Sequence, residues 1–209
     1  MAAAQVLVRE GLATGTAGNV SVRDGDTMWI TPSAVAPQSM VAEDVVALDA
    51  LGVPRTGGGV RPSSEWQFHR AVLQARPDVG AIVHTHSPWA TAVSCTGRVI
   101  PPFHYMMVGT GDGTLRCAPY DPPGSAALAD GVVRALGARR ACLLAHHGVV
   151  AVGSDLDGAL DMAREVETLA QQYAIARMVG GPEILGTEEV ATLVEIFSAY
   201  GDKSPGTVS

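Results

Sequence analysis

Ala81-Ile82-Val83-His84-Thr85-His86-Ser87-Pro88 is a short apolar run that ends in two histidines one residue apart. In a β-strand, residues i and i+2 point to the same face. His84 and His86 should therefore converge on one side of a sheet, at the end of a strand running over residues 79–86. Two imidazoles so placed can share one metal ion. Alone, such a pair is more often an accident of a surface turn, so the remaining residues must decide.

The chain has 209 residues, 47% of them hydrophobic and 17% charged, enough apolar content for a substantial core. Its net charge of −7 argues against a general nucleic-acid binder, because phosphate backbones select basic surfaces. No apolar run is long enough to span a bilayer, and the start carries no basic stretch leading into an apolar one. Neither membrane attachment nor a signal peptide is expected. The three cysteines, Cys95, Cys117 and Cys142, have no C-x-x-C spacing and fit reduced thiols in a cytoplasm.

The hydrophobic patterns predict short strands first, then strands alternating with helices. Residues 2–12 suit a short helix, and Gly11 to Asn19 a glycine-rich loop. Val20–Arg23 and Thr27–Thr31 alternate around Asp24-Gly25-Asp26, which predicts a hairpin. A further strand is expected at Val45–Asp49 and a flexible loop at Gly57-Gly58-Gly59. Ser64, with Gln67 three residues on, predicts a capped helix start running to about Arg76. Short extended pieces are expected at Arg98–Tyr105 and Leu115–Ala118, and helices at 125–136, from Asp155 or Asp157 to about Val179, and from Thr187 to about Tyr200. His146-His147-Gly148 is read as an interruption between two segments of a buried strand, and the tail after about residue 201 as loose. With no repeat and no linker, the expectation is one domain over residues 1–209. Its fold class is a three-layer α/β/α arrangement with a central mixed, mostly antiparallel sheet.

Three features join His84 and His86. A histidine at 146 or 147 needs a reason to sit among buried strands, and a metal ligand or a bond to a backbone carbonyl each supplies one. Glu65 falls at a helix start, where the dipole favours a carboxylate, but it could equally be a ligand or a general base. Three histidines and a carboxylate suit Zn2+, and other divalent metals also fit. Finally, Gly18-Asn19, Ser33-Ala34 and Ser63-Ser64 are small polar loops of the kind that bind anions, although each is also an ordinary turn.

The combination is similar to one known pattern. Thr16-Ala17-Gly18-Asn19-Val20-Ser21-Val22-Arg23, Ile30-Thr31-Pro32-Ser33 and Pro62-Ser63-Ser64-Glu65-Trp66-Gln67-Phe68-His69 occur in order. Val83 to His86, His104-Tyr105-Met106, Cys117 to Tyr120 and His146-His147-Gly148 follow. Together they resemble the class II aldolase/adducin family over nearly the whole chain. The resemblance implies a Zn2+ site of Glu65, His84, His86 and His147, choosing the histidine next to the glycine. It implies a phosphate pocket at Gly18, Asn19, Ser33, Ala34, Ser63 and Ser64. It also implies catalytic roles for Glu65, Tyr105 and Tyr200, with Tyr105 reaching the site from a neighbouring subunit of a homotetramer. The implied reaction is reversible cleavage of a phosphorylated ketose, L-fuculose 1-phosphate or a related 5-deoxy sugar phosphate, into dihydroxyacetone phosphate and an aldehyde. A Schiff-base lysine is not expected, since the one lysine is Lys203 in the tail.

The chain departs from the family pattern at Ala34, at 108–112 and at Asp121-Pro122-Pro123-Gly124, so the aldehyde half of the pocket should differ most. Other family members are epimerases, dehydratases and decarboxylases on the same metal site. Adducin-like interaction domains carry the fold without the metal histidines.

Overall fold

The computed structural model describes residues 1–55 and 59–201, with side chains to residue 199. The expected glycine loop at Gly57-Gly58 and the tail beyond 201 lie outside the described residues. Among the described residues, seven strands form one sheet in the order β3-β2-β1-β4-β7-β6-β5. They are β1 (Asn19–Asp24), β2 (Thr27–Ile30), β3 (Val46–Leu48), β4 (Ala81–Thr85), β5 (Cys117–Ala118), β6 (Ala141–Leu144) and β7 (Gly148–Gly153). Every pairing is antiparallel except β5 with β6, which makes the sheet mixed.

The sheet is the middle of three layers, as the sequence predicts. Helices α1 (Ala2–Arg9), α3 (Pro88–Ser94) and α5 (Leu156–Met178) cover one face, and α2 (Trp66–Ala75) and α4 (Ala126–Leu136) the other. A final helix, α6, spans Thr187–Gly201. The period of two divides the central strands between two cores. Ala81, Val83, Leu143, Val149 and Ala151 pack toward α5, while Ile82, Cys142, Leu144, Val150 and Val152 pack toward α2 and α4. That double burial is why β4, β6 and β7 read as continuous apolar runs rather than alternating ones.

Three local expectations are corrected. Ser64 does not cap α2; Glu65 holds the N-cap position, and no side chain caps the helix there. Its carboxylate turns instead toward the histidines. His146-His147 does not interrupt a single strand. Ala145-His146-His147 is a tight turn that reverses the chain, so β6 and β7 lie side by side with Leu144 opposite Gly148. His146 takes the strain with a φ of 57°, a left-handed value uncommon for a residue with a side chain. Arg98–Tyr105 is not a strand: it holds one isolated bridge, Ile100 with Leu115, and its last residue opens 3-10 turns over Tyr105–Thr110. Elsewhere the predicted caps are present: Ser125 accepts from the Leu128 N–H and Asp155 from the Gly158 N–H.

Candidate metal centre

The four ligand candidates come from three places in the fold. β4 supplies His84, and the residue just past its end supplies His86. The β6–β7 turn supplies His147, because β7 lies next to β4. The start of α2 supplies Glu65, because α2 packs on the face toward which His84 points; Phe68 of that helix meets the His84 ring edge-on at 5.4 Å. One ligand atom from each residue lies within 4.8 Å of the other three.

His84 is fully buried and its Nδ1 sits 2.8 Å from the Val149 carbonyl oxygen. A carbonyl can only accept, so Nδ1 carries the proton and the neutral ring turns a bare Nε2 inward. That Nε2 lies 3.1 Å from Glu65 Oε2 and 3.0 Å from His86 Nε2. On the far side His147 Nε2 is 3.1 Å from Glu65 Oε1, yet this oxygen accepts no well-aligned hydrogen bond, and His147 Nδ1 is also without a partner. Lone pairs converging at such distances repel unless a cation lies among them. Tetrahedral Zn2+ with bonds near 2.0–2.1 Å has ligand–ligand edges of about 3.3 Å. The residues present therefore fit such a cation in donor type, in spacing and in the carboxylate oxygen left unsatisfied.

The electrostatics agree. Burial pushes the Glu65 carboxyl up, but the imidazoles of His84 and His147 beside it outweigh that, and the group is held well below the usual carboxylate range. His86 is pressed down to about 4 by burial and by repulsion from His84 and His147, partly offset by Glu65. Neutral imidazoles and an ionised carboxylate are the forms that bind a metal.

The polar loops gather beside this cluster. The backbone φ of Gly18 is 77°, and a Cβ there would lie 2.8 Å from the His84 carbonyl oxygen, so only glycine lets this loop approach β4. Asn19 donates from Nδ2 to Glu65 Oε2 at 2.9 Å. Ser33 N–H donates to the Arg61 carbonyl and Ser63 N–H to the Thr31 carbonyl, which ties these two loops together. Ser63 Oγ in turn accepts from the Glu65 N–H. Ala34 has a left-handed φ of 59°, the conformation for which glycine is better suited. Ser64 is exposed, with its carbonyl against Gly124, so the 121–124 stretch borders the same loops.

The tyrosines are placed differently. Tyr105 is 52% exposed and touches His104 and Phe197, none of the four cluster residues. The Tyr200 side chain lies outside the described residues. Sequence reading also missed a buried group behind Glu65. His69, one helical turn on, bonds Asn19 through Nε2 at 2.5 Å and Ser21 through Nδ1 at 2.7 Å. The signal was present in the spacing: Glu65 and His69 are i and i+4 on one helix, and Asn19 and Ser21 are i and i+2 on one strand.

Known proteins are similar to this chain in sequence and fold. A family model described as Class II Aldolase and Adducin N-terminal domain matches residues 1–174. The 5-methylthioribulose-1-phosphate/5-deoxyribulose-1-phosphate aldolase of Rhodospirillum rubrum is 45% identical over 202 residues, covering 97% of this chain and 90% of that one. The L-fuculose phosphate aldolase of Escherichia coli K12 is 43% identical over 196 residues, covering 93% and 90%. A solved L-fuculose 1-phosphate aldolase superposes with a TM-score of 0.89 at 36% identity, covering 93% and 92%. The chain thus belongs to the class II aldolase and adducin family, and its relatives put it among the aldolases, which are lyases.

Proposed function

We propose that this chain reversibly cleaves a ketose 1-phosphate into dihydroxyacetone phosphate and an aldehyde, with Zn2+ held by Glu65, His84, His86 and His147. The observation that carries the reading is the convergence of these four side chains, with a buried carboxylate oxygen left unpaired. The substrate is of the 5-deoxypentulose 1-phosphate or L-fuculose 1-phosphate kind, the two named among the relatives.

Breaking a carbon–carbon bond beside a carbonyl leaves its electron pair on the carbonyl half. A bound divalent cation supplies Lewis-acid stabilisation of the negative charge that develops there. Glu65 moves the proton at the carbon that gains the pair. Tyr105 takes the hydroxyl proton from the aldehyde half, and Tyr200 assists it. Tyr105 is exposed on this chain, which is compatible with its serving the site of a neighbouring copy in the homotetramer that the family resemblance implies. Asn19, Ser33, Ser63, and the backbone of Gly18, Ala34 and Ser64 grip the phosphate next to the N-terminus of α2, and that grip positions the reacting carbons. All three cysteines are free, in keeping with a cytoplasmic setting.

The test is product analysis on a panel of ketose 1-phosphates. Dihydroxyacetone phosphate should appear from at least one member, and chelation should stop its release. An epimerised sugar with no fragment released, or loss of water alone, would replace the aldolase reading with another reaction on the same centre.

A further inference from the structure

The buried group behind Glu65 supports an inference that rests on the aldolase reading and gives His69 a role that the reading leaves blank. His69 is fully buried on α2. Its ring bridges Ser21 Oγ, 2.7 Å from Nδ1, and Asn19 Oδ1, 2.5 Å from Nε2. Asn19 Nδ2 then reaches Glu65 Oε2 at 2.9 Å. The donors can be assigned from the far end. An ionised carboxylate only accepts, so the amide nitrogen of Asn19 faces Glu65 and its oxygen faces His69. That oxygen needs a donor, so Nε2 carries a proton. A neutral ring then leaves Nδ1 bare, and Ser21 donates its hydroxyl to it. The chain runs one way: Ser21 to His69, His69 to Asn19, Asn19 to Glu65.

Were the amide of Asn19 flipped, its oxygen would face the carboxylate and the two would repel. Among the described residues His69 alone bonds Asn19 Oδ1, so the donor that holds this oxygen is His69. We propose that His69 is a positioning residue: as the Nε2–H tautomer it fixes the Asn19 amide with nitrogen facing Glu65, coupling the phosphate grip to the proton-moving carboxylate. Ser21 donates its hydroxyl to the Nδ1 that this tautomer leaves bare.

Two measurements test this. Nitrogen-15 NMR of histidine-labelled protein, stripped of metal and then reloaded with Zn2+, should show His69 protonated at Nε2 and bare at Nδ1 near neutral pH. The opposite tautomer, or a doubly protonated ring, would overturn the assignment. In kinetics, the terminal nitrogen of glutamine falls near Nε2 and that of asparagine near Nδ1. His69→Gln should therefore retain most of kcat/KM, whereas His69→Asn should lose about ten- to a hundredfold with bound Zn2+ unchanged. In an Asn19→Ala background the two His69 variants should become equal. Equal losses with Asn19 present, or an undiminished difference without it, would make His69 merely structural. A wild-type protein that releases no dihydroxyacetone phosphate from the panel rejects the aldolase reading instead, and the tautomer measurement still decides the assignment for His69.

Discussion

Glu65 shows how one residue is drawn between local and distant demands. Locally it occupies the N-cap of α2, where a side chain would normally bond the first turn. It forgoes that bond and points at His84 and His147, each 3.1 Å away. Glu65→Gln keeps a donor oxygen but removes the charge and the proton-accepting group, and kcat should fall by about 10²–10⁴-fold. Isothermal titration with Zn2+ and steady-state kinetics on the same sample would separate weakened binding from slowed chemistry. His147→Ala removes a donor outright; bound metal by atomic emission and turnover should both fall to background, and full zinc with full rate would remove His147 from the site. Tyr105→Phe should keep the metal and slow the reaction, so an unchanged rate on the best substrate would reject its role. At this scale the convergence of His84 and His86 is legible in the sequence because strand alternation is a rigid rule. The choice of His147 over His146 is not, since it depends on a turn that only the β6–β7 pairing reveals. His69 goes unnoticed because a lone histidine on a helix face usually signals nothing more than a satisfied core residue.

Among elements, the β6–β7 turn does the most to assemble the cluster. It works only because Gly148 lets β7 close on β4: a Cβ there would lie 2.2 Å from the Thr85 carbonyl oxygen and 3.0 Å from the His86 ring. Gly148→Ala should push the strands apart and shift His147 and His86 together. Metal affinity should drop by at least tenfold, measured by competition with a chromogenic chelator. Unchanged affinity would mean that the turn adjusts without moving the ligands. Away from the site, Asp155→Ala removes the cap of α5 and should cost about 1 kcal/mol in urea unfolding while kcat stays the same. The sequence marks the ends of α4 and α5 well, because Ser125 and Asp155 cap by their own side chains. It misplaces the start of α2, because Ser64 looks like an ordinary cap while Glu65 takes the N-cap position with its carboxylate turned to the histidines. The mixed character of the sheet rests on one parallel pair, β5 with β6, and β5 is only two residues long. No periodicity can be read from two residues.

For the whole molecule, buried imidazoles tie stability to pH. Burial, then the neighbouring imidazole of His84, press His69 down to about 3, against about 6.5 in the unfolded chain. A depressed histidine contributes stability that is complete above 6.5 and is lost as pH falls toward the folded value. For His69 the loss should reach about 2 kcal/mol at pH 5. The metal-free protein should therefore melt at a lower temperature at pH 5 than at pH 7, and His69→Gln should flatten that slope. A Tm that stays level in the wild type would contradict the buried neutral histidine. Assembly belongs to this scale too. Met178, Val179, Ile184 and Ile196 are exposed apolar residues around the end of α5 and along α6, in keeping with the proposed contacts between copies. Such contacts leave no periodic trace in one chain, so the layers are readable from the sequence while the assembly enters only through resemblance. The central claim is that these four residues hold the cation on which sugar-phosphate cleavage depends. It is tested most directly by adding Zn2+ stepwise to the metal-stripped protein while following dihydroxyacetone phosphate release. Activity should rise linearly and level off at one equivalent per chain, and His147→Ala should show no rise. Full cleavage by the stripped protein, or equal recovery in His147→Ala, would contradict the account.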